Sequence, residues 1–573
     1  MKNYLLSLLL LFLVFGLNAQ NFTSLDLGFP GLDEASLSLG DYDNDNDLDI
    51  ILSGRKSNDE RTTIIYHNDN GNYSPLAMGL VPVKTGATCW GDYDADGDLD
   101  LLVTGNDIDG ASARIYNNND GAFTDIQAGL QGVEEGNSVW GDFDNDGDLD
   151  LVLTGDWIAK IYRNDDGVFI DLEIDFGYFN SSAAAWGDYD QDGDLDLLLT
   201  GDSGAGAVTY IYRNDEGEFV KIEAGLPGVM AGASGWVDFD NDADLDIFLT
   251  GFDDALEAKF YRYRNDGHGV FEQVTAWMPG VAKSSVAWGD MDNDGDQDVA
   301  FCGKGSGCGL YINGIYRNEG DYFSDINVDI YPLTDGKMEW ADYDNDGDLD
   351  LFSTGARVGE TPQTLIYRND AGSNTFHPNT APSGPTEYDT QVFGNSVEFS
   401  WNAGSDNETP AEGLTYNIRV STISNSCNVW SPMAEEIAGF RRVVGKGNAR
   451  QNQNWRLQGL PEGEYFWSIQ TIDQGWAGSG FVAEKTFTLT TTSVYEMNAT
   501  EDIFIYHAAD KYIELDDDLQ QNNRIRVFDV KGKMLLDKSN VDIISLQDYH
   551  AWIYILHYAA AGKTATKKIS VLE

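Results

Sequence analysis

A nine-residue acidic segment recurs seven times between residues 41 and 350, and it constrains the fold more than any other feature. Its copies begin at Asp41, Asp92, Asp142, Asp188, Asp238, Asp290 and Asp342, at spacings of 51, 50, 46, 50, 52 and 52 residues. A glycine lies thirteen positions after each first aspartate, from Gly54 to Gly355, and a second motif follows, as in Ile161-Tyr-Arg-Asn-Asp-Asp-Gly167. A strand-rich period of this length is in the range of propeller blades.

Each period resolves into four short strands. In the third copy one ends at Ser138-Val-Trp140, the second is Leu149 to Thr154, the third is Ala159 to Arg163 and the fourth begins at Val168-Phe169. Asn164-Asp-Asp-Gly167 supplies a hairpin turn from residues that tolerate left-handed backbone. With no strong helical pattern, this predicts an all-β chain: a seven-bladed β-propeller at 21–378 followed by two β-sandwich domains. The segment Phe22 to Leu32 parallels Phe123 to Val133, an outer strand, whereas the stretch after Ile366-Tyr-Arg-Asn-Asp370 is degenerate. Phe22 to Leu27 is therefore expected to complete the last blade, closing the ring and removing two exposed edges.

The acidic segment carries aspartate at alternate positions. Position 1 is the set already named. Position 3 is Asp43, Asp94, Asp144, Asp190, Asp240, Asp292 and Asp344, and position 5 is Asp45, Asp96, Asp146, Asp192, Asp242, Asp294 and Asp346. Position 7 is Asp47, Asp98, Asp148, Asp194, Asp244, Asp296 and Asp348, and position 9 is Asp49, Asp100, Asp150, Asp196, Asp246, Asp298 and Asp350. In a tight loop positions 1, 3 and 5 converge their oxygens, the carbonyl at 7 contributes and the aspartate at 9 closes the shell. This is a shortened version of the EF-hand arrangement, and an all-oxygen shell favours Ca²⁺, here up to seven ions. Five carboxylates in nine residues repel one another strongly unless a cation lies among them. Position 6 is Gly in five copies, Asn46 in the first and Ala243 in the fifth, which makes the fifth loop the weakest expected site. One such site per blade reads as scaffolding rather than catalysis.

The loops account for 35 of the chain's 96 Asp and Glu; with only 35 Lys and Arg, the net charge is −61. That charge argues against nucleic acid or an anionic membrane as partner. Aromatic residues at 12% argue against an acidic disordered chain.

The motif Trp-Gly-Asp-Tyr-Asp-x-Asp-Gly-Asp-Leu-Asp with Ile-Tyr-Arg-Asn-Asp resembles the FG-GAP/VCBS repeat family, related to the integrin α-subunit propeller. The resemblance covers about residues 21–378. It implies Ca²⁺ on the first, third, fifth and ninth aspartates and the seventh carbonyl, and a role in adhesion or recognition, with some relatives carbohydrate-active.

Other candidates are weaker. Arg163, Arg213, Arg264, Arg317 and Arg368 recur in the hairpin motif, with His67 and Asn117 in the other copies; a ring of arginines could hold an anionic ligand, but they read as cross-strand ion pairs beside the acidic loops. Trp90, Trp140, Trp186, Trp236, Trp288 and Trp340 read as blade-to-blade packing. No catalytic residue is assigned. The irregular loops after the second strands (106–112, 202–208, 252–258, 304–311 and 356–363) are the expected ligand-binding elements, as loops on a rigid scaffold.

Beyond a linker at Asn379 to Pro385, Trp401, Tyr416 and Leu460-x-x-Gly-x-Tyr465 resemble a fibronectin type III domain at 384–490, with Ser424 to Arg450 as an insertion. Residues 496–573, through Arg524-Ile-Arg-Val-Phe-Asp-Val-Lys-Gly-Lys533 and Ile553-Tyr-Ile-Leu556, resemble the C-terminal sorting domain of the type IX secretion system. That implies the type IX machinery as a partner. At the other end, Lys2, the apolar run Leu5 to Leu17 and Leu17-Asn-Ala19 read as a signal peptide at 1–19, leaving no transmembrane segment in the mature chain. The four cysteines are too sparse for a disulfide framework, although Cys302 and Cys308 could pair. The expected protein is secreted or attached to the outer-membrane surface and acts as a non-enzymatic recognition module for a glycan or protein. The alternative is a carbohydrate-active enzyme, a polysaccharide lyase or glycosidase on the same scaffold.

Overall fold

The computed structural model describes residues 21–489, apart from 267–268, 276–277, 308–309, 321, 372–375 and 394, together with seven strands between 504 and 570. The expected signal peptide and Cys308 lie outside the described residues. The described residues form two compact units, Met1–Thr488 and Leu489–Glu573. They contain strands and no helix, so no helix is long and apolar enough to cross a membrane.

The first unit contains seven four-stranded antiparallel sheets, the construction of a β-propeller. Their first strands are Asp33–Gly40, Thr88–Gly91, Ser138–Gly141, Asn180–Gly187, Ser234–Val237, Ala282–Gly289 and Thr334–Ala341. Neighbouring sheets touch along these strands or, between the fifth and sixth, through Asp246–Phe252 against Ala282–Gly289. The last, Thr334–Ala341, lies against Asp33–Gly40. The expected closing strand is present: Phe22–Leu25 pairs with Gln363–Asn369, Phe22 opposite Asn369 and Leu25 opposite Ile366.

The second strand of each sheet is buried on both faces, as in Asp150–Gly155, which explains its nearly continuous apolar sequence. Sheets pack through the Trp-Gly pair. Trp186 stacks on Phe143 of the preceding acidic loop, with ring centroids 6.1 Å apart and planes at 14°, and Trp236 stacks likewise on Tyr189 at 7°. This approach requires the glycine: a Cβ on Gly141 would lie 2.6 Å from Trp186, and one on Gly187 2.5 Å from Trp236. Where the glycine is replaced, the partner changes. Ala341 follows Trp340, and the facing first strand has Leu39 instead of tryptophan. Val237 takes the glycine's place in the fifth sheet, and Trp288 packs on Phe248 and Phe323 instead.

Residues 388–489 form two three-stranded sheets, one from Tyr388–Phe393, Ser396–Trp401 and Asn454–Leu457, the other from Thr415–Ser421, Gly463–Ile472 and Lys485–Leu489. Trp401 packs edge-on to Tyr416, and Tyr465 donates its hydroxyl hydrogen bond to the Pro461 carbonyl at 2.7 Å. In the second unit, the described strands form a three-stranded and a four-stranded sheet.

Candidate metal centres

Each acidic segment connects the first and second strands of its sheet, and its side chains first organise their own loop. The Asp92 carboxylate accepts from the backbone N–H of Asp96 and Gly97, at 3.1 and 3.3 Å, and every other loop repeats the pattern, as in Asp142 with Asp146 and Gly147. The position-5 aspartate caps the N–H of position 7, as Asp146 does for Asp148 at 2.9 Å. The position-7 side chain turns away to cap the hairpin: Asp148 Oδ2 accepts from the Asp166 N–H at 2.9 Å. Its carboxylate is thereby engaged elsewhere, in keeping with a carbonyl rather than side-chain donor at that position.

The aspartates at positions 1, 3, 5 and 9 are brought together. Ligating atoms of Asp92, Asp94 and Asp96, of Asp142, Asp144 and Asp146, of Asp41, Asp43 and Asp49, and of Asp188, Asp190 and Asp196 lie within 4.8 Å of one another. These clusters can hold a metal ion, and two observations test the fit. One position-3 oxygen is buried without a hydrogen-bond partner in four loops: Oδ1 of Asp144, Asp190, Asp292 and Asp344. An orphaned buried carboxylate oxygen is costly unless something electropositive faces it. In addition, burial raises Asp49, Asp150 and Asp246 to about 9 and Asp100 to about 8. Burial likewise raises Asp41, Asp142 and Asp290 to about 7, with neighbouring aspartates adding to it. A divalent cation reverses that tendency by favouring the ionised form.

His67 was not among the expected ligands, yet it joins Asp43 and Asp45 in the first loop, with Nδ1 3.3 Å from an Asp43 oxygen. Position 6 carries the expected strain, with left-handed backbone at Asn46 (φ 68°) and Ala243 (φ 71°). The hairpin arginines are ion-paired: Arg163 with Asp165, Arg213 with Asp215, Arg264 with Glu272, Arg317 with Asp292 and Arg368 with Asp370.

The residue beside each arginine matters more. Asn164 donates its backbone N–H to Asp150 Oδ1 at 2.8 Å, and its amide donates to the carbonyls of Leu149 in its own loop and Tyr93 in the preceding one. Asn118, Asn214, Asn265, Asn318 and Asn369 repeat all three contacts, and Asn68 keeps only those within its own sheet. This asparagine holds the position-9 carboxylate and staples adjacent sheets. Its signal was visible in the sequence, since the second motif keeps this asparagine, with the tyrosine two positions before it, in all seven copies.

A second set of links runs from loop to loop. Position-4 amides of Asn44, Asn145, Gln191, Asn241 and Asn293 each donate to the position-6 carbonyl of the next loop, as Asn145 does to Gly193 at 3.1 Å. Position 4 of the second loop is Ala95, which has no amide to give. There the guanidinium of Arg442, from the 424–450 insertion, donates to the Gly147 carbonyl instead. The insertion and its neighbours dock across this whole end. The Asn452 amide reaches Asp238 at 3.0 Å, the Gln451 amide reaches Asp290 at 2.7 Å, and the Asp92 N–H donates to the Arg442 carbonyl at 2.9 Å.

Among the described residues of the first unit, the opposite end is free of this cover. The loops after the second strands carry exposed apolar tips at Ile108 (85%), Trp157 (43%), Leu256 (66%) and Val358 (85%). Trp157 and Leu256 hold left-handed backbone, at φ 67° and 58°.

Residues 41–103, 92–153, 142–199, 188–249 and 238–301 match the model of the FG-GAP-like repeat. Five FG-GAP-like repeats stand in this chain. No curated protein matches it. Similar solved structures include the extracellular domain of a hybrid two-component system from B. thetaiotaomicron, at 10% identity and a TM-score of 0.37, over 82% of this chain and 57% of that one. Another is the Aleuria aurantia lectin in complex with Fucα1-6GlcNAc, at 13% identity and 0.31, over 57% of this chain and 97% of that one. A third is an exo-β-1,3-galactanase from Phanerochaete chrysosporium with β-1,3-galactotriose, at 11% identity and 0.26, over 60% and 94%. The chain thus spans 57% of the length of the first of these structures.

Proposed function

We propose that the chain is a secreted or cell-surface seven-bladed propeller, stabilised by Ca²⁺ on its acidic loops, that recognises a glycan or protein without transforming it. The 384–490 segment serves as a fibronectin type III-like β-sandwich, and 496–573 as a sorting sandwich that engages the type IX secretion machinery. The Ca²⁺ ligands are the aspartates at positions 1, 3, 5 and 9 with the position-7 carbonyl, all hard oxygen donors in clusters of the kind that FG-GAP-like repeats use.

The observation that carries the recognition reading is the asymmetry of the two ends. Residues 424–476 cover the acidic loops, whereas the loops after the second strands present Ile108, Trp157, Leu256 and Val358 to solvent. Exposed aromatic and aliphatic tips on rigid hairpins are recognition chemistry. A glycan array, run with Ca²⁺ alongside an assay for released reducing ends, tests the reading. Binding that Trp157→Ala weakens, with no product released, is expected. Product release that survives repurification would favour the carbohydrate-active alternative.

A further inference from the structure

The seven first strands enclose a cavity of about 570 Å³ along the axis of the sheets, within the ordinary range of ligand pockets. Its two ends are built differently. Val444, Lys446, Arg450 and Trp476 of the docked segment line it at the acidic-loop end and form a floor. At the other end lie the neighbours of a ring of seven residues with left-handed backbone: Glu34, Thr85, Glu135, Ser181, Ala231, Lys283 and Asp335, at φ between 46° and 53°. Backbone hydrogen bonds join them from sheet to sheet, Thr85 N–H to the Glu34 carbonyl at 2.9 Å and Glu135 N–H to the Thr85 carbonyl at 2.8 Å. None is glycine, so each carries conformational strain that the surrounding structure must hold, and strain of this kind collects at functional sites.

The charges facing the cavity run against those of the molecule. In a chain of net charge −61, three basic side chains line it, Lys337, Lys446 and Arg450. None of the three makes an ion pair among the described residues. Lys446 is held by the Trp288 carbonyl at 2.9 Å and by Gln297, while the Arg450 Nε is buried without a partner. Burial lowers Lys446 to about 7, with Arg450 adding to it, and lowers Arg450 below its ordinary value; Asp290 and Asp298 oppose the shift at Lys446 and Asp238 opposes it at Arg450, all three being carboxylates of the acidic loops. The wall contributes one further acid, Glu339, which burial raises to about 7. The hydroxyl of Ser182, 8% exposed, also lines the cavity without a hydrogen-bond partner.

We propose that this cavity is the charge-reading part of the recognition site, alongside the loop tips, and that it takes a sugar-sized anion, its carboxylate or sulfate entering past the left-handed ring to meet Lys337, Arg450 and Lys446. This rests on the recognition reading above and names the site and ligand class for it. Small residues such as Ser36, Ala87, Gly136 and Ser182 leave room for a sugar ring, Trp288 and Trp340 offer it apolar faces, and the basic side chains without ion pairs select its charge.

The test is calorimetric titration of the Ca²⁺-loaded full chain with D-glucuronate, glucose 6-sulfate and glucose. One or both acids bind and identify the anionic group, while glucose binds at least about tenfold more weakly. Lys446→Gln and Lys337→Glu each weaken the acid by about tenfold or more. Lys337 is exposed and belongs to the strand Thr334–Ala341 rather than to the docked segment, so its variant keeps the test valid if Lys446→Gln disturbs docking. Glucose binding as tightly as the acids, no acid binding at all, or acid binding unchanged in Lys337→Glu would overturn the assignment. A glycan-array hit that Lys337→Glu leaves intact would move the site out of the cavity and leave recognition standing, whereas a blank array would contradict recognition itself.

Discussion

At the residue scale, the asparagine of the hairpin motif outweighs the arginine beside it. Asn164 is fully buried and satisfies two buried carbonyls and a carboxylate, whereas Arg163 pairs with Asp165 near the surface. Removing a buried donor leaves its acceptors unsatisfied at about 1–3 kcal/mol each. Asn164→Ala is therefore expected to cost about 2–4 kcal/mol in chemical denaturation, and Arg163→Ala under about 1 kcal/mol. Equal losses would contradict the staple. The loop carboxylates add a pH dependence. Their folded values are raised above the ordinary 3.8, to about 7 at Asp41 and about 9 at Asp150, chiefly by burial. A raised carboxylate stabilises the fold only while protonated, so its contribution is full below about 4 and lost as pH rises through the folded value. In EGTA the melting temperature should fall between about pH 5 and pH 8, and excess Ca²⁺ should abolish that slope. The same slope in both buffers would contradict it.

At the element scale, the tryptophan-glycine junction sets how closely neighbouring sheets pack. Gly187→Ala places a methyl 2.5 Å from the Trp236 ring and should cost about 1–3 kcal/mol, read as a lower unfolding midpoint. A neutral outcome would show that the stack yields. Much of this level was legible beforehand. The repeat period gave four strands per unit, and the parallel between Phe22–Leu32 and Phe123–Val133 anticipated the strand that pairs with Gln363–Asn369. Tryptophan as inter-sheet packing was legible too, because one aromatic per period has only a neighbouring period to meet. The arginines pair with acids, but only Arg264 does so across strands; Arg163, Arg213 and Arg368 take the aspartate two residues on, Arg317 takes Asp292 of its loop, and the asparagine staple and His67 were overlooked. An amide carries no charge to draw attention, and His67 stands where other copies have arginine. Its contact with Asp43 exists only once the hairpin folds over the loop.

At the scale of the whole molecule, the 424–450 insertion changes the picture most. In the sequence it is an insertion in a segment that resembles a fibronectin type III domain. In the structure it docks on the acidic loops, with Arg442 occupying the place left by Ala95, and with its neighbours Gln451 and Asn452 bonded to Asp290 and Asp238. Nothing in local periodicity announces such a contact, since it joins residues separated by 161 positions at Gln451 and 214 at Asn452. The two parts should loosen together, so chelation should expose 424–450 to limited proteolysis before the sheets themselves are cut. Protection of that segment in EGTA would contradict the coupling.

The central claim concerns the 35 loop aspartates, proposed to form a metal-binding framework rather than a surface property. Each site would add about 2.7 kcal/mol when free Ca²⁺ is a hundredfold above its dissociation constant, so a few sites match the whole stability of an ordinary domain. The direct measurement is the melting temperature of the full chain in Ca²⁺ and after chelation, with bound metal counted in both samples. A large drop that Ca²⁺ restores is the predicted result. An unchanged melting curve after complete metal removal would contradict the account.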